Sequence, residues 1–482
     1  MKQKLNNSDT LAILGGSPVR STPFIVEPMI DEAEEKMVLD AIREKNFSRY
    51  VGTSVERDVL RLTSAEALKI EDYWHFHGGP NVRAFAAEFA DYFNVPYAIP
   101  VTSATVGLSV ALAAANIGPE DEVIIPALSF SATANSVLMF NSIPVFVDVD
   151  PDTFCIDPIK IEEAITSKTK AIIPVHLAGN VSDMNAIINI SRRYNLQVIE
   201  DSSQAIGAEY GDLMAGAIGH AGIFSFQQSK NIMTGEGGMI ITDDPKIAAR
   251  ARLIINHGEI VFNQDATVED LENIIGFNFR MPELCVAIGR AQLKKLAKLN
   301  EWRTTNTNFL RRELSNVSGL KLPRNQQSDN TPARNVPHFF VALYNKKEMG
   351  ISRNLFVAAL REEGIPVGTG YARPMYAAPT FLKKIAYGRD GYPWNSGNHK
   401  SGVTYEMGMC PISESLLTEE FLWLYHVAYP STGKDMMDIV SAINKVIRNR
   451  ENLNDADVSL TYKIGGHSVG RIGVAPSQLK NG

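Results

Sequence analysis

The sequence predicts an α/β protein with a large, mostly parallel sheet, followed by a smaller α+β domain. From Tyr97 to about Thr242, short apolar segments such as "DEVIIPA", "KAIIPVH" and "LQVIED" alternate with helical patterns. This alternation is typical of parallel strands that helices cover on both faces. A more mixed pattern from about His338 to Arg448 predicts the smaller domain.

The chain has 482 residues, of which 45% are hydrophobic, and this is enough for two or three domains. Residues 1–78 form a predicted N-terminal lead-in with an insertion, in which the charged helical pattern "DEAEEKMVLDAIREKNF" stands among few strand signals. Residues 79–330 form the predicted large domain, and residues 331–450 the small one. Residues 451–482 show no sustained periodicity, and we expect a tail.

Charge and hydropathy argue against several kinds of partner. The formal net charge is −7, and lysine and arginine are scattered, so no nucleic-acid partner is predicted. The sequence contains no run of about 18 apolar residues and no long apolar leader, so we expect a cytoplasmic protein without a membrane partner.

The cysteines and histidines predict no metal site. Cys155, Cys285 and Cys410 lie far apart without C-x-x-C spacing, which argues against a disulfide framework and fits a reducing compartment. His75 and His77 have no carboxylate or thiol at ligand spacing. We therefore expect these histidines in a loop or a subunit contact.

Two motifs place polar residues where a strand ends. In "VTSATVGLSVAL", the residues Ser103, Ala104 and Thr105 stand at a strand-to-helix passage, where free N–H groups and the helix dipole favour an anion such as phosphate. A plain N-cap explains the same residues. In "VIEDSSQAIGAEY", Asp201 ends a strand and can hold a protonated ring nitrogen, although a solvated or capping aspartate is the alternative.

Two further motifs follow the same logic. In "PALSFSATAN", Phe130 follows a strand and can stack on a flat ring, with a core aromatic as the alternative. In "SFQQSKNIMTGEGGMIITDD", Lys230 stands between two β-like segments, although most lysines are solvated. Anion site, aromatic, carboxylate and lysine follow one another in the order expected of a pyridoxal phosphate enzyme of the aspartate aminotransferase fold type (fold type I).

The chain resembles the DegT/DnrJ/EryC1/StrS family of sugar aminotransferases from about Gly79 to Arg448. The resemblance implies pyridoxal 5'-phosphate as cofactor, glutamate or glutamine as amino donor, and a keto sugar, nucleotide-linked, or a keto-cyclitol as acceptor. The segments that carry it include "SATVGLSVALAAANIGPEDEVIIPALSFSATANSVL", "PVFVDVDPDTFCID", "PVHLAGNVSDM", "EDSSQAIGA", "FSFQQSKNIMTGEGGMIITDD" and "GFNFRMPELCVAIG".

The resemblance also implies roles for single residues. Lys230 matches the catalytic Schiff-base lysine, and Asp201 matches the catalytic partner of the pyridine nitrogen. Gln204 matches the residue beside the phenolic oxygen of the cofactor, and Phe130 matches the aromatic residue on its ring.

The phosphate contacts follow from the resemblance too. Thr105 with the Val106 amide, and Ser225, match residues that bind the cofactor phosphate. Asn278 in "GFNFR" matches a position that reaches the phosphate in the neighbouring subunit. The resemblance therefore implies a homodimer with shared active sites.

Several points stay open at this stage. Gln227 stands where many family members carry histidine, and the segment "RDVLRLTSAEALKIEDYWHFH" and the tail after Asn452 are additional, so the acceptor is not identified. Tyr371 and Arg373 are candidates for contacting it. His176 lies either near the cofactor or in a packed strand end.

Two other functions remain open on the same fold. One is a dehydratase, including chemistry like that of 3-amino-5-hydroxybenzoate synthase, although Lys230 argues against the dehydratases that carry histidine in place of the lysine. The other is a regulator without catalytic activity.

Overall fold

The computed structural model describes residues 10–453, apart from residues 46, 49, 51–77, 259–274, 325–331, 389, 397–398 and 401. His75, His77, the additional segment at 57–77 and the tail from residue 454 onwards lie outside the described residues. Within the described ranges, no helix is both long and apolar enough to cross a membrane.

Helices and strands alternate through the first half of the chain. The helices are α1 Glu32–Arg43, α2 Pro80–Phe93, α3 Ala104–Ala114, α4 Ser131–Leu138, α5 Pro158–Glu163, α6 Met184–Tyr194, α7 Pro245–Ile254, α8 Glu283–Leu314, α9 Lys346–Met349, α10 Arg353–Glu362, α11 Pro379–Leu382, α12 Pro411–Ser415 and α13 Gly433–Arg448. The strands are β1 Tyr97–Val101, β2 Glu122–Pro126, β3 Ile143–Val147, β4 Thr169–Ile172, β5 Gln197–Asp201, β6 Glu209–Tyr210, β7 Leu213–Met214, β8 Ala221–Ser225, β9 Gly238–Thr242, β10 Leu320–Lys321, β11 Ala333–Arg334, β12 Phe340–Tyr344, β13 Asn395–Ser396, β14 His399–Lys400 and β15 Phe421–Leu424.

A seven-stranded sheet forms the centre of the molecule, in the order β1-β9-β8-β5-β4-β2-β3. Strand β9 runs antiparallel to β1 and to β8, and the remaining neighbours pair in parallel. Every residue of β1, β2, β8 and β9 is buried, as a sheet covered on both faces requires. The predicted large, mostly parallel sheet is confirmed, and β1, β5 and β8 end at one edge, where such sheets bind ligands.

A smaller antiparallel sheet, β10-β12-β15, packs with α10 and α13 around a second core. The predicted smaller α+β unit is thus confirmed. Leu11 and Phe24, from the N-terminal segment, are buried in this core together with Leu310 and Leu314 of α8. The N-terminal segment therefore packs into the small unit, although the other residues of that core come from the C-terminal part of the chain.

Helix α8 connects the two units through buried polar side chains. Asn300 donates from Nδ2 to the Ile206 carbonyl at 2.9 Å, next to the large sheet. Six residues further along the helix, Asn306 donates to the carbonyls of Val427 and Ser431, at 3.0 and 2.9 Å. These bonds fix the rotation of the helix, and Arg303 lies between them on the same face.

Glu200 organises the turn beside β5 and β8. The carboxylate is fully buried and accepts three backbone N–H bonds, from Gly216 at 2.8 Å, Ile218 at 2.7 Å and Gly219 at 2.6 Å. His176 Nδ1 accepts the Ser182 N–H at 3.1 Å, so Nε2 carries the proton and donates to Glu200 at 2.9 Å. Of the two interpretations of His176, the packed strand end is the observed one.

We expect Glu200→Gln to lower the free energy of unfolding by about 3 kcal/mol, because the new NH₂ group meets backbone donors in a buried place. Urea denaturation with the native fold monitored by circular dichroism measures the change. Glu162→Gln, which alters an exposed ion pair with Arg193, is the matched control and should have a much smaller effect. A loss below about 1 kcal/mol for Glu200→Gln would contradict this account of the turn.

Candidate active site

A cavity of about 660 Å³ opens where β1, β5 and β8 end. This volume lies within the range of about 300–1,000 Å³ that is usual for cofactor and substrate sites. Motifs that are far apart in the chain share the cavity. Of the residues singled out from the sequence, it is lined by Ser103, Ala104, Thr105, Phe130, Asp201, Gln204, Ser225, Gln227, Lys230 and Tyr371.

The start of α3 forms one wall of the cavity. Ser103 caps this helix, and its Oγ accepts the Val106 N–H at 3.3 Å. Gly238 packs against the same turn: a Cβ there would lie 2.7 Å from the Ala104 nitrogen, so a larger residue would push β9 away. Ser225 adds a hydroxyl from the end of β8. The wall thus combines hydroxyls with a helix N-terminus and suits an anion.

Asp201 is held in a defined orientation at the end of β5. Its Oδ2 accepts a bond from the Thr133 hydroxyl at 2.9 Å, and that hydroxyl lies 2.9 Å from the Ser129 hydroxyl. Its Oδ1 accepts the Ser203 N–H at 3.3 Å. The residue is only 6% exposed and lines the cavity, so it is not a solvated aspartate. A buried carboxylate in this position stabilises a positive charge in the cavity.

Lys230 is partly buried in the cavity. Burial lowers the pKa of its amine from 10.5 to about 8; the charge of Asp201 opposes this shift, and the charge of Arg303 adds to it. Among the described residues, no carboxylate forms an ion pair with Lys230. A large fraction of the amine is therefore neutral near pH 8, as a nucleophile or proton acceptor requires.

Gln204 links the sheet to the opposite wall. Its Oε1 accepts the Ala178 N–H at 2.8 Å, so its Nε2 is the end that donates to the Tyr371 hydroxyl, at 3.1 Å. The ring of Phe130 lies 6.3 Å from that of Tyr371 and is 53% exposed, so Phe130 is not a core aromatic. Burial raises the pKa of Tyr371, which keeps its hydroxyl protonated.

The sequence did not predict all of the lining residues, and those it missed include Arg303 of α8, His338 just before β12, and Tyr425 just after β15. Each stands in a segment whose apolar pattern indicates packing. Burial lowers the pKa of His338 well below its ordinary value, and the charges of Lys230 and Arg303 lower it further. His338 is therefore neutral in the cavity.

Four residues considered from the sequence do not line the cavity. Asn278 is exposed and forms a backbone bridge with Asn256, beside the end of β1. Arg373 is also exposed, and His176 is fully buried against Glu200. The side chain of Val106 packs against the core of the large sheet, although its N–H belongs to the α3 turn.

The fold and the cavity define a fold type I enzyme of the aminotransferase class. The DegT/DnrJ/EryC1/StrS aminotransferase family model matches residues 62–411. The chain belongs to this family, whose cofactor is pyridoxal phosphate.

Individual relatives agree with this assignment. The L-glutamine:2-deoxy-scyllo-inosose aminotransferase of Streptomyces kanamyceticus is 32% identical over 454 residues, which cover 92% of this chain and 98% of the relative. The GDP-perosamine synthase of Caulobacter vibrioides is 45% identical over 223 residues, or 46% of this chain and 59% of the relative. The X-ray structure of an aminotransferase from Psychrobacter cryohalolentis matches with a TM-score of 0.73 and 28% identity, over 89% of this chain and 100% of that one.

The described residues fit the cofactor. The α3 turn with Ser103, Thr105 and Ser225 offers donors for a phosphate. Gly238 has no side chain, so the backbone of β9 can lie close to this turn. Asp201 suits a protonated pyridine nitrogen, and Lys230 supplies a partly neutral amine without an ion-pair partner among the described residues. A single cavity thus contains a site for each charged group of pyridoxal phosphate.

In the cofactor-free protein, we expect Lys230 to react with cyanate along a titration curve with its midpoint near pH 8, because burial lowers its pKa to that value. Peptide mass spectrometry of the carbamylated residue gives the rate at each pH. Asp201→Asn should move the midpoint down, since a charge that raises the pKa is lost, and Arg303→Met should move it up. A midpoint near the ordinary 10.5 would show that the amine is solvated.

Proposed function

We propose that the protein transfers the amino group of L-glutamine or L-glutamate to a keto-cyclitol or a nucleotide-linked keto sugar. The observation that carries this proposal is the convergence of Lys230, Asp201 and the α3 turn on one cavity. The named relatives support the class of substrate, since one acts on a scyllo-inosose with L-glutamine and another is a GDP-perosamine synthase.

The proposal gives each group in the cavity a part in holding the cofactor. Ser103, Ala104, Thr105, the Val106 amide and Ser225 would bind the phosphate. Asp201, oriented by Thr133, would keep the ring nitrogen protonated. Phe130 would cover one face of the ring, and Gln204, anchored on Ala178, would lie beside the phenolic oxygen.

When bound, pyridoxal phosphate acts as an electron sink that stabilises negative charge at a neighbouring carbon. Lys230 carries the cofactor and, once displaced by the donor amine, removes the proton from the α-carbon of the donor with its neutral Nζ. In the second half of the reaction Lys230 gives a proton to the former carbonyl carbon of the acceptor. Its pKa near 8 suits both steps, because a general acid-base group works best near the operating pH.

We further propose a homodimer in which Asn278 reaches the phosphate site of the partner subunit. Asn278 is exposed in the single chain. Around the mouth of the cavity, Phe130 is 53% exposed and Val26 42%, and Ile25, beside Val26, is 59% exposed. Large apolar side chains of this kind favour a covering surface, and a partner subunit would provide it.

The test of the transfer reaction is mass analysis of the acceptor product. Full-length protein loaded with pyridoxal phosphate is incubated with L-glutamine and a panel of keto-cyclitols and keto-sugar nucleotides. We expect a product in which an amino group has replaced the carbonyl oxygen. A product that has lost water without gaining nitrogen would favour the dehydratase instead, and an inert protein across the panel would favour the regulator.

We expect Lys230→Ala to lower the transfer rate at least about 1,000-fold, because the variant loses the amine that moves the proton at the reacting carbon. Lys298→Ala, which changes an exposed lysine of α8, is the matched control and should leave the rate unchanged. The rate is measured with the best acceptor of the panel. If Lys230→Ala keeps more than a tenth of the rate, Lys230 is not the catalytic base.

For the homodimer, we expect sedimentation of full-length protein at low micromolar concentration to give twice the chain mass. Asn278→Ala should weaken pyridoxal phosphate binding by about tenfold, since one hydrogen bond to a charged group is lost. Its urea unfolding midpoint should stay near that of the wild type, because the side chain is exposed. A monomer with full cofactor affinity would disprove the shared site.

A further inference from the structure

The segment from Phe24 to Met29 runs along the mouth of the cavity and is held at both ends. At one end, Phe24 is buried in the core of the small unit, and its ring lies 4.9 Å from that of His426. At the other end, the Met29 carbonyl accepts a bond from Gln292 Nε2 of α8, at 2.9 Å. The members of the segment that line the cavity are Phe24, Val26, Glu27, Pro28 and Met29.

The residues before Phe24 are fixed to the small unit by a buried carboxylate. Glu363 accepts the backbone N–H groups of Ala12 and Val19, at 2.8 and 3.0 Å. Its carboxylate also forms an ion pair with Lys445 at 2.9 Å and is fully buried, so the bonds it makes are costly to break. The side chains at the cavity mouth are therefore carried by an anchored segment and not by a free terminus.

The exposed part of the cavity lining carries negative charge. Among the described residues, the lining members that are exposed are Val26, Glu27, Phe130, Gln228 and Glu236. Two of these, Glu27 and Glu236, carry a charge, and both are carboxylates. The cations of the lining, Lys230 and Arg303, are more deeply buried. A ligand that enters the cavity therefore passes two carboxylates first.

A nucleotide-linked sugar is poorly suited to this mouth. Its diphosphate is several bonds away from the reacting carbonyl carbon, so it lies towards the mouth when that carbon is at Lys230. Proteins bind such groups with arginine, lysine or a helix N-terminus. The N-terminus of α3 is already assigned to the cofactor phosphate, and Asn278, which reaches across in the proposed homodimer, is uncharged. The two carboxylates therefore repel a diphosphate.

An uncharged ring with several hydroxyl groups suits the same mouth. Hydroxyl groups donate to carboxylates in charge-assisted hydrogen bonds. The side-chain amide of Gln228 can both donate and accept. A keto-cyclitol has these properties, since its ring carries hydroxyl groups and no charge.

We propose that Glu27 and Glu236 select the acceptor, so that an uncharged keto-cyclitol enters the cavity and a nucleotide-linked keto sugar is repelled. This inference rests on the proposed transfer reaction and narrows its two classes of acceptor to one. The two carboxylates determine specificity, and the proton transfer remains the role of Lys230.

The test is isothermal titration of GDP into full-length protein loaded with pyridoxal phosphate. It measures binding without turnover, so a failure here is separate from a failure of the transfer reaction. We expect a Kd above about 1 mM for the wild type, and at least about tenfold tighter binding for Glu27→Lys, because one charge at the mouth changes sign. Sodium chloride at about 0.5 M should remove most of this difference, since it screens exposed charges.

Glu44→Lys is the matched control. Glu44 is an exposed carboxylate at the C-terminal end of α1 and does not line the cavity. Its replacement changes the net charge by the same amount and should leave the affinity for GDP unchanged. Glu27→Gln and Glu236→Gln each remove a negative charge without adding a positive one, and each should tighten GDP binding by a smaller factor than Glu27→Lys.

Kinetics with the acceptor panel supply a second readout. We expect the wild-type kcat/KM for the best keto-cyclitol to exceed that for every keto-sugar nucleotide, and Glu27→Lys to lower this ratio at least about tenfold. A keto-sugar nucleotide as the best wild-type acceptor would overturn the proposal while leaving the transfer reaction intact. Micromolar affinity of the wild type for GDP, or equal gains in Glu27→Lys and Glu44→Lys, would overturn it too. If no acceptor reacts, the transfer reaction fails, and the GDP titrations still decide whether the mouth repels a diphosphate.

Discussion

The balance of charge in one cavity is the constraint on which the rest of this structure depends. Two cations, Lys230 and Arg303, line the cavity together with Asp201, whose carboxylate is oriented by Thr133. The exposed Glu27 and Glu236 also line it. Because burial disfavours the charged amine, and the charge of Arg303 adds to this effect, Lys230 gives up its proton far more readily than a surface lysine does.

The surrounding fold fixes this arrangement through backbone rather than through long side chains. Parallel strands β1, β5 and β8 end together and deliver Ser103, Asp201 and Ser225 to one edge. The turn held by Glu200 braces the segment between β5 and β8, and Gly238 lets β9 approach the α3 turn. Ser103, Asp201 and Ser225 therefore lie at the ends of strands that are themselves buried in the core.

The sequence predicted the parts of the site that lie where strands end. Asp201, Ser103 and Lys230 stand next to apolar runs in a clear strand-helix alternation, and the parallel sheet brings those positions together. Arg303 was not predicted as a site residue, because it lies within a 32-residue helix whose apolar residues indicate only packing. The signal that could have found it is the polar series Asn300, Arg303 and Asn306 at three-residue spacing, which places these residues on one helical face.

Other features could not be read from local pattern because they depend on contacts between distant segments. Leu11 and Phe24 are buried in the core of the small unit, hundreds of positions along the chain from most of the residues they pack against.

The central claim is that Lys230 carries the cofactor in this cavity. Borohydride reduction of the protein loaded with pyridoxal phosphate, followed by peptide mass mapping, tests this claim most directly. The account predicts the pyridoxyl mass on Lys230, and a label on any other lysine would contradict it.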